Sequence, residues 1–222
     1  MMKKGILLQG VVTEWTADII NEYQENFEDI AILLSTWTNQ NVDNITCDYI
    51  QIEPPEPTYP HNSNINNQIL GVKRGINKID ADVILKTKTD QFIHNNQIFD
   101  IFEKNCLKHK IMTDNLISWR NREYRISDFC QVATKKVLED YWYNMPFYDG
   151  SYAIAPEVYL TKNYVVNFKK DIGPWNNIID KYFCLKDYFT DFDIEFEKFA
   201  NNEQKQEWLM KTGIMKTVDE NS

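Results

Sequence analysis

Residues 83–91 read Val-Ile-Leu-Lys-Thr-Lys-Thr-Asp-Gln, and their spacing is chemically pointed. Three apolar residues open the stretch as a buried strand would. Lys86, Lys88 and Asp90 then fall at every second position, so on a strand their side chains share one face. A buried charge without a partner is costly. The strand is therefore expected to run out of a core into a polar cleft, where two cations and a carboxylate face phosphates, a metal ion, or both. A strand end carrying an ordinary surface ion pair accounts for the same pattern equally well.

The elements around this segment say where such a cleft would lie. Gly5–Val12 is apolar on both faces and reads as a central strand. Thr13 can cap a following helix on which Trp15, Ile19, Ile20, Tyr23 and Phe27 recur at helical spacing. Ile30–Ser35 is a second buried strand, and strand-helix-strand over this length predicts a parallel βαβ unit. Further strands are expected over Ile45–Ile52, Val83–Lys88 and Lys110–Ile117, with helices over Ile65–Ile79, Asn95–Lys108 and Lys135–Tyr143. Pro54, Pro55, Pro57 and Pro60 make Glu53–Pro60 a stiff extended loop. Ser151–Ala155 reads as a short strand and Pro156-Glu157 as a helix start. Trp175–Phe189 and Ile194–Met210 read as amphipathic helices. In open α/β sheets ligands bind outside the carboxyl ends of the strands. Here those ends are Gln9-Gly10, Ser35-Thr36-Trp37, the proline-rich loop, Lys88-Thr89-Asp90-Gln91 and Ser118, polar for the most part.

Bulk properties exclude several classes. A net charge of −9 argues against a general nucleic-acid binder, so any anionic ligand needs locally gathered cations or a metal. The four cysteines, at 47, 106, 130 and 184, form no CxxC pair and fit reduced core residues of a cytoplasmic protein. No apolar run approaches the ~20 residues of a membrane span. Gln9 and Gly10 interrupt the opening apolar run too soon for a signal peptide. GxGxxG, the P-loop and GxSxG motifs are all missing. His61, His94 and His109 are scattered in polar contexts and read as surface residues.

Leu7-Leu8-Gln9-Gly10 with Thr13, Ile32-Leu33-Leu34-Ser35-Thr36-Trp37, Asn67-Gln68 with Gly71, and Leu85-Lys86-Thr87-Lys88-Thr89-Asp90-Gln91 follow one another in an order that resembles the WavE-type lipopolysaccharide synthesis family. Ile126-Ser127-Asp128-Phe129 and Pro156-Glu157-Val158-Tyr159-Leu160 are similar to that family's downstream segments. The resemblance spans residues 6–160 and carries nothing beyond about 165.

That resemblance implies a GT-A-like, mostly parallel α/β sheet flanked by helices. Residues 1–165 would form the nucleotide-sugar domain; beyond it, where the resemblance carries nothing, the amphipathic patterns predict a helical extension over 166–222 packed on the same domain. The resemblance implies a glycosyltransferase moving a sugar from a nucleotide-diphosphate donor to a growing surface glycan, with inversion expected. Gln9, Gly10, Ser35, Thr36 and Trp37 would bound the nucleotide pocket. Asn67, Gln68, Gly71 and Lys73 would begin a helix whose positive end faces the donor. Asp90 would stand at the last carboxylate of an Asp-x-Asp metal motif for Mn2+ or Mg2+. Lys88 occupies the first position of that motif, so either Asp90 and the diphosphate hold the ion, or Lys88 itself neutralises the diphosphate.

The literal Asp191-Phe192-Asp193 follows no expected strand, and Asp193 is read as a helix cap. Sugar transfer with inversion needs a base for the acceptor hydroxyl. Asp128 is the first candidate, with a helix cap as its plain alternative. Glu157 is the second, with a first-turn carboxylate as its alternative. Arg120, Arg122 and Arg125 would hold diphosphate or an anionic acceptor, or form a solvated basic loop. The aromatics of Tyr141–Tyr148 and Trp175 read mostly as core. A non-catalytic nucleotide-sugar binder and a nucleotidyltransferase are the alternatives. The base, the sugar, the acceptor and the oligomeric state are not written in the residues.

Overall fold

The computed structural model describes residues 2–200. Its centre is β1 (Lys4–Gln9), whose Gly-Ile-Leu-Leu run is buried on both faces. β2 (Ala31–Trp37) and β4 (Val83–Lys88) flank β1 in parallel, and β3 (Asp48–Ile52) adds outside β2 as the more exposed edge. α1 (Thr16–Asn26) and α2 (Ile65–Lys78) connect these strands. After the short β5 (Gln91–Ile93) come α3 (Ile98–Asn105), β6 (Ile111–Asp114), β7 (Gln131–Thr134) and α4 (Lys135–Tyr143). β7 runs antiparallel to both β4 and β6. α5 (Pro156–Lys162) continues into a π-helical stretch, Asn163–Phe168, and α6 (Trp175–Tyr182) leads into β8 (Phe183–Lys186). The seven-stranded sheet has the order β3-β2-β1-β4-β7-β6-β8 and is mostly parallel. β9 (Ile194–Phe196) pairs with β5 in a separate antiparallel ribbon.

Alternation along the strands builds a core on each face. Leu7, Leu33 and Ile84 point toward α2 and α4, packing with Ile69, Val72, Leu138 and Trp142. Ile6, Leu8, Leu34 and Leu85 point the other way, toward Ile19, Tyr23, Phe99 and Phe102 of α1 and α3. Tyr141, Tyr148 and Trp175 are core residues, as their helical spacing suggests, whereas Tyr143 and Phe147 are exposed. No helix among the described residues is long and apolar enough to cross a membrane.

Several sequence expectations need correction. Gln131–Thr134 is a strand that was not anticipated; Thr134 both ends it and caps α4, its Oγ1 accepting from Val137 N at 3.4 Å. A four-residue strand abutting a helix has too little length to show a two-residue period. Ser151–Ala155 forms no strand. The helix expected over Trp175–Phe189 stops at Tyr182, because Phe183–Lys186 extends the sheet edge beside β6. The helix expected over Ile194–Met210 starts instead as β9, followed by a single 3-10 turn at Glu197–Phe199; its remainder lies outside the described residues. Asp193 caps no helix. It takes φ 53° in the turn before β9, where its carbonyl accepts His94 N.

The proline-rich loop is anchored rather than merely stiff. Gly150 has φ +79°, and a Cβ there would meet Tyr59 N at 2.7 Å and Tyr59 O at 2.8 Å. His61 N donates to Gly150 O at 3.2 Å, and Asn66 exchanges two hydrogen bonds with the Tyr148 backbone. Gly150→Ala meets both an unfavourable φ and a backbone collision. It is expected to lower stability by ~1–3 kcal/mol, read as a reduced urea midpoint with unchanged m-value.

Candidate active site

A cavity of about 570 Å³ opens at the carboxyl ends of β1, β2 and β4. The registers Gln9↔Ser35 and Gln9↔Lys88 bring three strand ends to one level. Gln9, Gly10, Trp37, Lys88 and Asp90 line the cavity directly. Gly10 takes φ +150°, and a Cβ there would lie 2.6 Å from Thr89 Oγ1, so only glycine lets these neighbouring tips close up. Thr89 Oγ1 donates to Val11 O at 2.6 Å, tying the β4 tip to the chain leaving β1.

The first turn of α2 forms the opposite wall through Asn64, Asn67 and Gln68, preceded by Asn62 and Ser63. The sequence expectation of a helix start at this site therefore corresponds to a wall. Ser35, Thr36, Gly71 and Lys73 do not line the cavity. Ser35 is fully buried and its Oγ donates to Gly71 O at 2.8 Å. Gly71 leaves room for the Gln9 side chain, which a Cβ would strike at 2.7 Å. Thr36 is buried on the other face of β2. Lys73 turns away, its Nζ donating to Met145 O at 3.1 Å.

Beneath the cavity lies a charged knot. Lys86 and Lys88 share the α2 face of β4, as alternation requires. Lys86 is fully buried, and its Nζ donates to Asp128 O at 2.7 Å. Burial and the neighbouring Lys88 push its ammonium down to about 8. Lys88 Nζ stands 3.8 Å from Asp128 Oδ2 and 4.7 Å from the centre of the Phe129 ring. Gln68 Nε2 donates to the same Oδ2 at 2.6 Å. Burial alone would raise the Asp128 carboxyl, but Lys88, Lys86 and Gln68 outweigh it and hold it below its ordinary value. Gln68 Oε1 is left buried without a donor among the described residues, at the cavity wall.

Asp128 does not cap a helix; it precedes β7 and lies 5% exposed behind Gln68 and Lys88. Glu157, in the first turn of α5, is also buried, and Arg125 Nη2 donates to it at 2.8 Å. Burial and the Asp128 charge push the Glu157 carboxyl above its ordinary value. Arg125 and Arg122 both stack on Trp119, and Arg120 pairs with Asp180.

Sequence reasoning missed Lys198, which lines the cavity. It arrives there because β9 pairs with β5 and Glu197 N then donates to Asp90 O at 3.0 Å. This contact joins residues more than a hundred positions apart, and no local pattern announces it.

A divalent cation of the Mn2+ or Mg2+ type wants about six oxygen ligands, with carboxylates among them. Of the described residues lining the cavity, Asp90 alone carries a carboxylate, and Lys88 and Lys198 line the same space. Among the described residues no group of three or more His, Cys, Asp or Glu could hold a metal ion. This donor set does not fit a protein-held divalent cation.

The family profile described as WavE lipopolysaccharide synthesis matches residues 9–167. No curated protein matches the sequence. Among solved structures, a glycosyltransferase involved in glycosylation of the major capsid of PBCV-1 superposes with a TM-score of 0.53 at 14% identity, covering 92% of this chain and 98% of that one. The apo-form glycosyltransferase GlyE of Streptococcus pneumoniae gives 0.50 at 8% identity; the match covers 97% of this chain and spans 61% of GlyE. Glucosyl-3-phosphoglycerate synthase of Mycobacterium tuberculosis, solved with Mn2+, UDP-glucose and phosphoglyceric acid, gives 0.51 at 10% identity over 97% of this chain and 82% of its own. At these identities the likeness is one of fold.

Asp114, at the end of β6, offers a test of the polar layer under the site. It is fully buried, with Ser127 Oγ donating to Oδ2 at 2.5 Å and Leu116 N to Oδ1 at 3.1 Å. Burial pushes its carboxyl up from 3.8 to about 6, against those hydrogen bonds. The folded state thus holds this proton more tightly than the unfolded chain. The corresponding stability is complete below about 3.8 and is lost as pH rises through about 6. Asp114→Asn removes the dependence. Relative to wild type, its stability is expected to gain on the order of 1–3 kcal/mol between pH 4 and pH 7, read from urea midpoints.

Proposed function

The chain belongs to the WavE lipopolysaccharide synthesis family, and on that premise we propose that it is a glycosyltransferase. It would move a hexose from a nucleotide-diphosphate sugar to a growing surface glycan of lipopolysaccharide or capsule type, with inversion. The observation that carries this reading is the cavity at the β1, β2 and β4 tips, walled by the first turn of α2 and floored by the Lys86–Lys88–Asp128 knot. Such a site offers amides, an aromatic edge, a carboxylate and fixed positive charge within one opening.

In the proposed reaction the acceptor oxygen attacks the anomeric carbon. The bond from that carbon to the diphosphate oxygen breaks, and its electron pair stays on the departing nucleoside diphosphate. Gln9, Gly10 and Trp37 bound the nucleotide end, with Ser35 and Gly71 holding those tips in place. Asn67 and Gln68 present the amides and first-turn N–H groups of α2 to the donor. Asp90 is the carboxylate placed to meet donor hydroxyls. Lys88 stands where charge accumulates on the leaving group, and a positioned cation there favours the transition state.

Neither candidate base is among the described residues lining the cavity; of the two we assign the base role to Glu157, whose carboxyl, raised by burial and the Asp128 charge and paired with Arg125, is the readier proton acceptor. Asp128 is held ionised and paired, and we assign it a positioning role through Lys88 and Gln68. That same pairing, together with Lys88 in place of the first motif carboxylate, is what favours the second reading, a nucleotide-sugar binder without turnover.

The two readings separate in an assay of nucleotide release from UDP-, GDP-, CMP- and dTDP-sugars. Turnover on at least one donor supports the enzyme; tight binding with no release on any donor refutes it. Glu157→Gln is expected to lower kcat by about 10²–10⁴ with donor affinity retained. Asp128→Asn leaves two lysines without their counter-charge and is expected instead to raise KM for the donor and lower the melting temperature.

A further inference from the structure

We propose that the cavity binds its nucleoside diphosphate through two ammonium groups, Lys88 and Lys198, in place of a divalent cation. The proposal deepens the functional reading above and rests on it. A nucleoside-diphosphate sugar carries two negative charges on its diphosphate, and the cleavage described above leaves one more on the product. Something positive must meet that charge, and Lys88 and Lys198 are the cations among the described residues lining the cavity.

Lys88 is built for the task. Its side chain is 15% exposed, and its Nζ sits 3.8 Å from Asp128 Oδ2, outside close hydrogen-bond range. Gln68 Nε2 already donates to that Oδ2 at 2.6 Å. The ammonium is therefore steered by Asp128 while its three N–H donors remain able to reach phosphate oxygens. Lys198 comes from the other side. It stands just after β9, with Nζ 5.3 Å from the Phe196 ring centre, and the β5–β9 ribbon and the Glu197 N–Asp90 O bond fix it at the rim. Against these two cations the described lining has one carboxylate, Asp90; Glu197 does not line the cavity. A divalent ion at Asp90 would have to share this space with two like charges, which already supply the two positive charges such an ion would bring.

The test is isothermal titration of the full chain with UDP, GDP and dTDP, in EDTA and in Mn2+. We expect one nucleotide to bind in EDTA with an affinity within about twofold of that in Mn2+. Lys198→Ala, on the exposed rim, is expected to weaken that binding about tenfold, and Lys88→Met at least as much, the loss of one charge-assisted contact each. Because Lys88→Met also strips Asp128 of a partner, Lys198→Ala serves as the variant whose folding is not at issue. Binding seen only with Mn2+, or wild-type affinity in Lys198→Ala and Lys88→Met alike, overturns the inference and leaves the glycosyltransferase reading standing. Binding of none of the three nucleotides in either condition overturns both.

Discussion

Lys86 and Lys88 leave β4 on the same face, and neither can be buried there without a counter-charge. Taking ions from water costs several kcal/mol each unless partners replace the lost hydration. Asp128 supplies those partners twice, through its backbone oxygen to Lys86 and its carboxylate to Lys88. This requirement reaches well beyond two side chains. It demands that the segment before β7 lie across the end of β4, which in turn demands that β7 enter the sheet antiparallel. Gln68 joins the same carboxylate from α2, so the helix wall and the strand floor are locked by one group.

Much of this was legible in the residues. The doubly apolar β1 and β2 runs announce buried parallel strands, and the alternation Lys86, Lys88, Asp90 announces a shared face. What the alternation does not disclose is depth: Lys86 lies fully buried under the cavity floor, whereas Asp90 lines the opening. Sequence order also hid the contributions of β7, β8 and β9. Each is three or four residues long, and their pairings join partners far apart in the chain. A period of two cannot declare itself in so few positions, so helical readings filled the gap. Lys198 was lost with β9 for that reason.

The candidate carboxylates show how environment sorts chemically identical groups. Asp114, Asp128 and Glu157 are all nearly buried, yet their proton affinities differ in direction. Asp128 has two lysines and an amide about it and stays ionised. Asp114 has a hydroxyl and a backbone N–H, which do not offset its desolvation. Glu157 has Arg125 but also feels the Asp128 charge. Type and spacing nominated Asp128 and Glu157 alike; only the company each keeps assigns the work.

The reversed direction of β7 also divides labour along the gene. Strand tips from the first ninety residues converge on one edge of the sheet, while the middle third reaches that edge from the opposite heading, through the segment preceding its strand. The excursion between β6 and β7 lines none of the cavity itself, yet through Asp128 it holds Gln68 and Lys88, which do. Insertions within its exposed stretch, residues 120–123, leave that hold in place, whereas a change at Asp128 would loosen helix wall and strand floor together.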